Sequence, residues 1–271
     1  MKRLRVFLVT NETKPDAVRA ALEIAAWCRS QGVECAEAGP FKDSPPGAVI
    51  CALGGDGTVL RAASLAAGAG IPVLGVNVGS LGFLSSTPLE GLFPALERIA
   101  RGEYEVEERM RLSYQAGSLA GTALNDVAVA AVVPRLLEIR LSWRGEPVTT
   151  LPSDGLILAT PTGSTAYSLS LGGPVVAPTA ECIVATPHAA HLCGARPLVF
   201  PCDDELRVSV SSDVRLVADG DEVGRVPAGT DITIRRADAR TRLIRPAGAP
   251  GFFATLTRKL NWPSADLRRA R

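Results

Sequence analysis

The run Leu53-Gly54-Gly55-Asp56-Gly57-Thr58-Val59-Leu60 constrains this chain more than any other stretch. An apolar segment of strand length, Ala48 to Leu53, leads into it, and Val59 to Ala69, rich in good helix formers, leads out. A strand that delivers a glycine-rich turn to a helix start offers backbone N–H groups and a positive dipole end to an anion. Glycines let phosphate oxygens approach the backbone with no Cβ in the way. Asp56 is the odd member, because a carboxylate repels phosphate. Its natural tasks are to accept a proton or to reach phosphate through Mg2+. The loop therefore reads as a phosphoryl-transfer site; the plainer alternative is a strand–turn–helix corner with Asp56 as N-cap.

Around this loop the chain alternates strands and helices. Arg5 to Thr10 reads as a buried strand, and Pro15 to Gln31 as a helix opened by Pro15 and closed by Gly32. Pro72 to Asn77 is the next apolar strand, followed by a glycine-punctuated loop, Gly79 to Leu84. Leu89 to Ala100 reads as a helix with Leu92, Leu96 and Ile99 on one face. Such alternation predicts an α/β domain with a mostly parallel sheet, whose ligands bind beyond the carboxyl ends of the strands. After Gly102 the pattern changes to short strands separated by turn residues, among them Leu136–Trp143, Gly155–Thr160, Glu205–Val210, Val214–Ala218 and Ile232–Ile234. That signature predicts a β-rich sandwich. The expected division is an α/β domain over 1–102 and a β-rich domain over 103–250. The tail, 251–271, carries an amphipathic helical segment and is expected to pack back on the first domain.

A net charge of +1 over 271 residues gives no field for nucleic acid or a membrane surface. No apolar run reaches the roughly 18 residues of a membrane helix, and the N-terminal apolar run is too short for a signal peptide, so a cytoplasmic location is expected. The 6 cysteines form no C-x-x-C pair and read as reduced core residues. Cys182, His188, His191 and Cys193 lie close in sequence, but their spacing fits no zinc pattern. No metal ligand from the protein is expected.

Two further runs carry polar chemistry. Asn125-Asp126 precedes the strand-like Val127 to Val129; an amide beside a carboxylate can read an adenine edge and ribose hydroxyls, or can equally form an Asx turn. Pro161-Thr-Gly-Ser-Thr-Ala-Tyr-Ser-Leu-Ser170 combines hydroxyls, flexibility and one ring, which suits a flat polar ligand such as a base or a nicotinamide. The alternative is a serine-rich turn opening a helix. Asp154 is a second candidate carboxylate. Neither G-x-x-x-x-G-K-[ST] nor G-x-G-x-x-G occurs, and none of the four lysines stands beside a glycine loop in sequence.

At this point the chain resembles the NAD kinases. Gly54 to Thr58 matches the GGDGT motif, which diacylglycerol and sphingosine kinases share. The segments Gly75–Leu84, Leu124–Val127, Ser153–Pro174, His191–Leu198 and Phe252–Trp262 resemble the remaining family blocks, in family order. The resemblance implies transfer of a phosphoryl group from ATP or polyphosphate, with Mg2+ or another divalent metal carried by the phosphates, to the 2′-OH of the adenosine ribose of NAD+. It implies Asp56 as the general base. Gly54, Gly55, Gly57, Thr58 and Arg61 would hold the donor's phosphates. Asp56, Gly57, Arg61, Phe83, Asn125, Asp126, Arg135, Asp154, Thr165, Ala166, Tyr167, Ser168, Leu169, Ser170 and Asp221 would face NAD+, with Phe83 walling the adenine and Asp154 at the nicotinamide end. The chain departs from the family at Pro152, where a basic residue is common, at Ser80, where His or Arg is, and at Asp221, where Gln is. Family members are homodimers or homotetramers. A lipid kinase sharing the glycine motif and an idle NADP(H)-sensing module are the competing readings.

Overall fold

A computed structural model describes residues 4–79, 82–133 and 136–263. Its elements run β1 (Arg5–Thr10), α1 (Pro15–Gln31), β2 (Glu34–Glu37), β3 (Ala48–Gly54), α2 (Asp56–Ala66), β4 (Val73–Asn77), β5 (Thr87–Pro88), α3 (Leu92–Ala100) and β6 (Glu105–Arg109). There follow β7 (Leu112–Ala116), β8 (Leu119–Ala123), β9 (Asp126–Ala131), β10 (Leu137–Trp143), β11 (Glu146–Ser153), β12 (Gly155–Ala159) and α4 (Tyr167–Ser170). The rest are β13 (Cys182–His188), β14 (Leu198–Pro201), β15 (Leu206–Val210), β16 (Val214–Ala218), β17 (Asp221–Val226), β18 (Ile232–Arg236), β19 (Thr241–Arg245) and α5 (Phe252–Lys259).

Two compact units emerge, Met1–Glu108 with Thr241–Arg271, and Arg109–Arg240. In the first, β1, β2, β3, β4 and β19 pair in parallel in the order β2-β1-β3-β4-β19-β6, with β5 beside β4. Every residue of β3 is buried, which is why its sequence is a continuous apolar run rather than an alternating one. Helix α1 begins with Pro15 and ends on Gly32 in the left-handed conformation (φ 63°), as the local signals dictate. Its Ala17, Ala20, Ile24 and Cys28 pack with Val6, Leu8, Val49 and Cys51 of the sheet. Complete burial of a side chain such as Ile24 stabilises by about 1.5–3 kcal/mol. The helix read over 89–100 is a 3-10 turn, Leu89–Gly91, followed by α3, whose first turn tolerates Pro94.

The second unit is a sandwich of two six-stranded antiparallel sheets, β11-β10-β15-β18-β7-β8 and β14-β13-β12-β9-β16-β17. Its core combines Leu112, Ile139, Val208 and Ile234 from one sheet with Val127, Leu158, Ile183 and Leu216 from the other. The sequence placed 103–108 and 241–250 in the β-rich part. The structure groups them with the first unit, because β6 and β19 extend the parallel sheet beyond β4. That pairing joins segments some 135 residues apart, and no local signal announces it. Among the described residues, no helix is long and apolar enough to cross a membrane.

Candidate functional site

In the first unit, β3 ends at Gly54 and α2 starts at Asp56 with Gly55 as its N-cap residue, in extended backbone. A Cβ on Gly54 would lie 2.1 Å from Thr58 Oγ1, so the corner closes only with glycine there. A Cβ on Gly55 or Gly57 would meet nothing within 4 Å. Both border a cleft of about 520 Å³ lined also by Thr58, Arg61 and the Thr10–Lys14 turn. The first amides of a helix have no intrahelical acceptor, so this cleft is bordered by donors at the positive end of α2.

Asp56 is half-buried and turns to the loop after β4. Its Oδ2 accepts the Phe83 N–H at 2.8 Å. Its Oδ1 accepts the N–H groups of Leu84 at 3.0 Å and Ser85 at 3.2 Å, and the Ser85 hydroxyl at 3.3 Å. Gly82 makes room for this arrangement, since a Cβ there would stand 1.9 Å from Asp56 Oδ1. Asp56 is thus also the anchor of the 82–85 loop, a role that spacing along the chain does not disclose. Phe83 packs against Phe252 of α5 (centroids 6.2 Å) and lies under Lys259, whose Nζ is 4.8 Å from the ring centroid. Arg61 is exposed and donates to Thr10 O at 2.8 Å.

Lys14 is the residue the sequence reading passed over. It is remote from the glycine loop in sequence, yet it lines the same cleft and its Nζ donates to Val78 O at 2.5 Å. The cleft therefore carries two cations, Lys14 and Arg61, beside the helix start.

In the second unit, the sequence-predicted residues gather along β12. Asp126 pairs with Ala159 at one end of that strand, and Asp154 precedes Gly155 at the other. Five residues of strand rise separate the two levels, roughly 16 Å. At the Asp126 end, Thr160 donates its N–H to Asn125 O (2.8 Å) and its hydroxyl to Leu124 O (2.6 Å). Gly163 packs so close that a Cβ would sit 1.9 Å from Asn125 O. Asp126 is buried; desolvation, then the neighbouring Asp219 carboxylate, pushes its pKa from 3.8 up to about 7.

The 161–170 run forms a 3-10 turn, Gly163–Thr165, and then α4. Four of its hydroxyls have partners inside the fold: Thr165 Oγ1 donates to Thr162 O at 3.2 Å and Thr162 Oγ1 accepts from Arg109 at 3.4 Å. Ser164 Oγ donates to Pro161 O at 2.7 Å and accepts the Val176 N–H at 3.0 Å, while Ser168 Oγ bonds Thr186 Oγ1 at 2.8 Å. Thr165, Ala166 and Leu169 are partly exposed, and Tyr167 and Ser170 are exposed. The Tyr167 ring meets His188 edge-on at 5.9 Å. Asp221 is exposed at the start of β17. Asp219, two residues before it, was also overlooked: its carboxylate accepts backbone N–H groups from Leu124 to Asp126. The Asp-Gly pair at 219–220 is a hairpin signal that could have located the turn, but not this use of it. Arg135 and Ser80 lie outside the described residues. Among the described residues, no three His, Cys, Asp or Glu side chains converge as a metal site.

Comparison with known proteins gives one consistent result. Residues 46–104 match the ATP-NAD kinase N-terminal domain and residues 124–246 the ATP-NAD kinase C-terminal domain. An NAD kinase of Syntrophotalea carbinolica is 38% identical, over 97% of this chain and 99% of its own length. An NAD kinase of Heliobacterium modesticaldum is 39% identical, over 94% and 98%. Among solved structures, an NAD kinase from Archaeoglobus fulgidus in complex with ATP superposes with a TM-score of 0.77 at 26% identity, covering 97% of this chain and all of that one. Yeast NADH kinase complexed with NADH shares the fold, with a TM-score of 0.84 at 23% identity, covering 98% of this chain and 89% of that one.

Proposed function

The chain belongs to the NAD kinase family, and on that premise we propose that Asp56 is the general base for phosphorylation of the adenosine ribose 2′-OH of NAD+ to NADP+. The observation that carries the assignment is the uneven loading of the Asp56 carboxylate. Oδ1 takes three donors from Leu84 and Ser85, whereas Oδ2 takes the Phe83 N–H alone among the described residues. With one donor against three on Oδ1, Oδ2 is the oxygen with acceptor capacity left for a substrate hydroxyl, while the other bonds fix its orientation. Such a base supplies typically 10²–10⁴ in rate, about 3–5 kcal/mol of barrier.

The donor is ATP or polyphosphate. Its phosphates belong in the cleft bordered by Gly55, Gly57 and Thr58, with Lys14 and Arg61 as counter-charges. Gly54 contributes by letting the corner close on Thr58. Mg2+ keeps several waters and is held largely by substrate phosphates, so the metal would arrive with the donor. When bound, the metal neutralises charge on the transferring phosphoryl group. The residues of the chain do the orienting: transfer of this kind needs positioning and electrostatic help rather than covalent participation.

On the acceptor side, Asn125 and Asp126 take the adenosine and a ribose, and Asp154 takes the nicotinamide end. The roughly 16 Å of strand rise between Asp126 and Asp154 suits the two ends of an extended dinucleotide. Phe83 walls the adenine. Thr165, Ala166, Tyr167, Leu169 and Ser170 line the ligand, Ser168 fixes α4 from beneath through Thr186, and Asp221 and Arg135 complete the set. The enzyme works in the cytoplasm as a homodimer or homotetramer. A lipid kinase would have no use for the Asn125-Asp126 pair or the 161–170 run, and a sensing module no use for an oriented Asp56.

The test is NADP+ formation from NAD+ and Mg-ATP, read by an NADP-specific dehydrogenase, with polyphosphate and NADH in parallel. Product with either donor is expected. A folded protein that binds NAD+ and makes none would overturn the kinase and leave the sensing module.

A further inference from the structure

The backbone of Leu124, Asn125 and Asp126 is held from both sides. On one side is Thr160, whose N–H and hydroxyl donate to the carbonyls of Asn125 and Leu124. On the other is Asp219, at the tip of the β16–β17 hairpin. Its Oδ2 accepts the Leu124 N–H at 2.7 Å, and its Oδ1 accepts those of Asn125 at 2.6 Å and Asp126 at 3.3 Å. Its own N–H donates back to Asp126 O at 3.0 Å. Each polar backbone group that could let this short segment turn is therefore engaged by a side chain or backbone from another strand.

The hairpin is built for that reach. Asp219 and Gly220 both have positive φ, 51° and 93°, in the two-residue turn that joins Ala218 to its partner Asp221. Asp tolerates the left-handed region better than most residues, but many other turn residues would do as well sterically. The two charged acceptor oxygens of Asp219 gather three consecutive N–H groups, which a turn residue without a carboxylate would hold more weakly. A charge in this setting is also costly unless it is used. Arg111, fully buried, has its guanidinium basicity reduced by desolvation and restored in part by the Asp219 charge. Arg111 itself donates to Thr122 Oγ1 at 2.9 Å, on the strand that leads into Leu124. Gly163 N–H closes the other flank, donating to Thr160 Oγ1 at 3.0 Å.

We propose that Asp219 is a positioning residue for dinucleotide recognition: it fixes the backbone of 124–126 so that Asn125 and Asp126 meet the substrate in one geometry. The inference rests on the reading of Asn125 and Asp126 as dinucleotide-facing. It adds that the Asp219–Asp221 turn, the 124–126 segment and the Thr160–Gly163 turn act as one unit, with a residue that touches no substrate setting the affinity for NAD+.

The test compares the full-length protein with Asp219→Asn, which keeps one carbonyl acceptor, and Asp219→Ala, which keeps none. KM for NAD+ should rise at least tenfold in Asp219→Ala and by an intermediate factor in Asp219→Asn. The kcat should stay within about threefold, and KM for ATP should not move. Melting curves establish the folded fraction, and should the alanine variant fail to fold, the asparagine variant decides. An unchanged KM for NAD+ in a folded variant overturns the proposal, as does a fall in kcat alone that follows the loss of folded protein. Amide hydrogen exchange at 124–126 supplies a readout independent of catalysis: faster exchange in Asp219→Asn is expected. If the wild-type protein made no NADP+, the substrate reading would fall while exchange still tested the clamp. Unchanged exchange would remove the clamp itself.

Discussion

Asp56→Asn separates two duties that the structure gives one side chain. In the native loop Oδ1 accepts three donors and Oδ2 one. The asparagine carbonyl would take the place of Oδ1, where most donors converge, leaving its NH2 group opposite the Phe83 N–H. One hydrogen bond to a charged acceptor is lost, worth about 1.5–3 kcal/mol, and the remaining bonds lose their charge assistance. Because Asp56 is only half-buried, water can recover part of this, and a net loss of about 2 kcal/mol is the reasonable expectation. For a unit of this size that lowers the melting temperature by roughly 5–10 °C. The kcat should fall by a factor of at least about 10², because an amide cannot accept the hydroxyl proton. Differential scanning calorimetry of the free protein and the coupled NADP+ assay read the two effects on one sample. NAD+ should still bind, so its titration by thermal shift should persist in the variant. A variant that melts with the wild type would refute the anchoring argument, and one that turns over within a few-fold of wild type would refute the base. Ser85→Ala is the control: it removes the longest of the four bonds, at 3.3 Å, and leaves the carboxylate, so kcat should hardly move.

Other consequences follow from the same geometry. Lys14→Ala should raise KM for ATP several-fold, with KM for NAD+ unchanged; equal effects on both would take Lys14 out of the donor cleft. Gly163→Ala would put a Cβ 1.9 Å from Asn125 O, against backbone that cannot swing aside, so it should lower stability by about 1–3 kcal/mol and weaken NAD+ binding, as urea unfolding and calorimetric titration would read. Asp126 gives a pH dependence of definite sign. Its folded pKa of about 7 lies above the ordinary 3.8, so the folded protein keeps a proton that the unfolded chain gives up. Its stabilising contribution is complete below about pH 4 and is lost as the pH rises through 7, at most about 4 kcal/mol in total. Asp126→Asn should therefore gain stability relative to wild type between pH 5 and pH 8. An unfolding midpoint difference that stays flat across that range would contradict the burial argument.

How much of this was legible in the sequence depends on the distance over which each feature is decided. The strand–glycine–helix corner at 53–60, the helix from Pro15 to its cap at Gly32, and the change from alternating to all-strand pattern after Gly102 are set by local backbone preference and by residue periodicity. Those features determined the α/β-plus-sandwich fold class, and the spaced motifs determined the family. Tertiary structure alone decided the partners. Lys14 reaches Val78 across 64 positions, Asp56 anchors a loop 27–29 positions on, and Asp219 holds Asn125 from 94 positions away. It also decided which hydroxyls of 161–170 are spent internally, and that β19 returns to the first sheet. The physical reason is that a hydrogen bond between distant residues leaves no periodic trace in the chain. A carboxylate reads the same in sequence whether it meets solvent, a substrate hydroxyl or three amides, and only the packing that brings those groups within 3 Å distinguishes them.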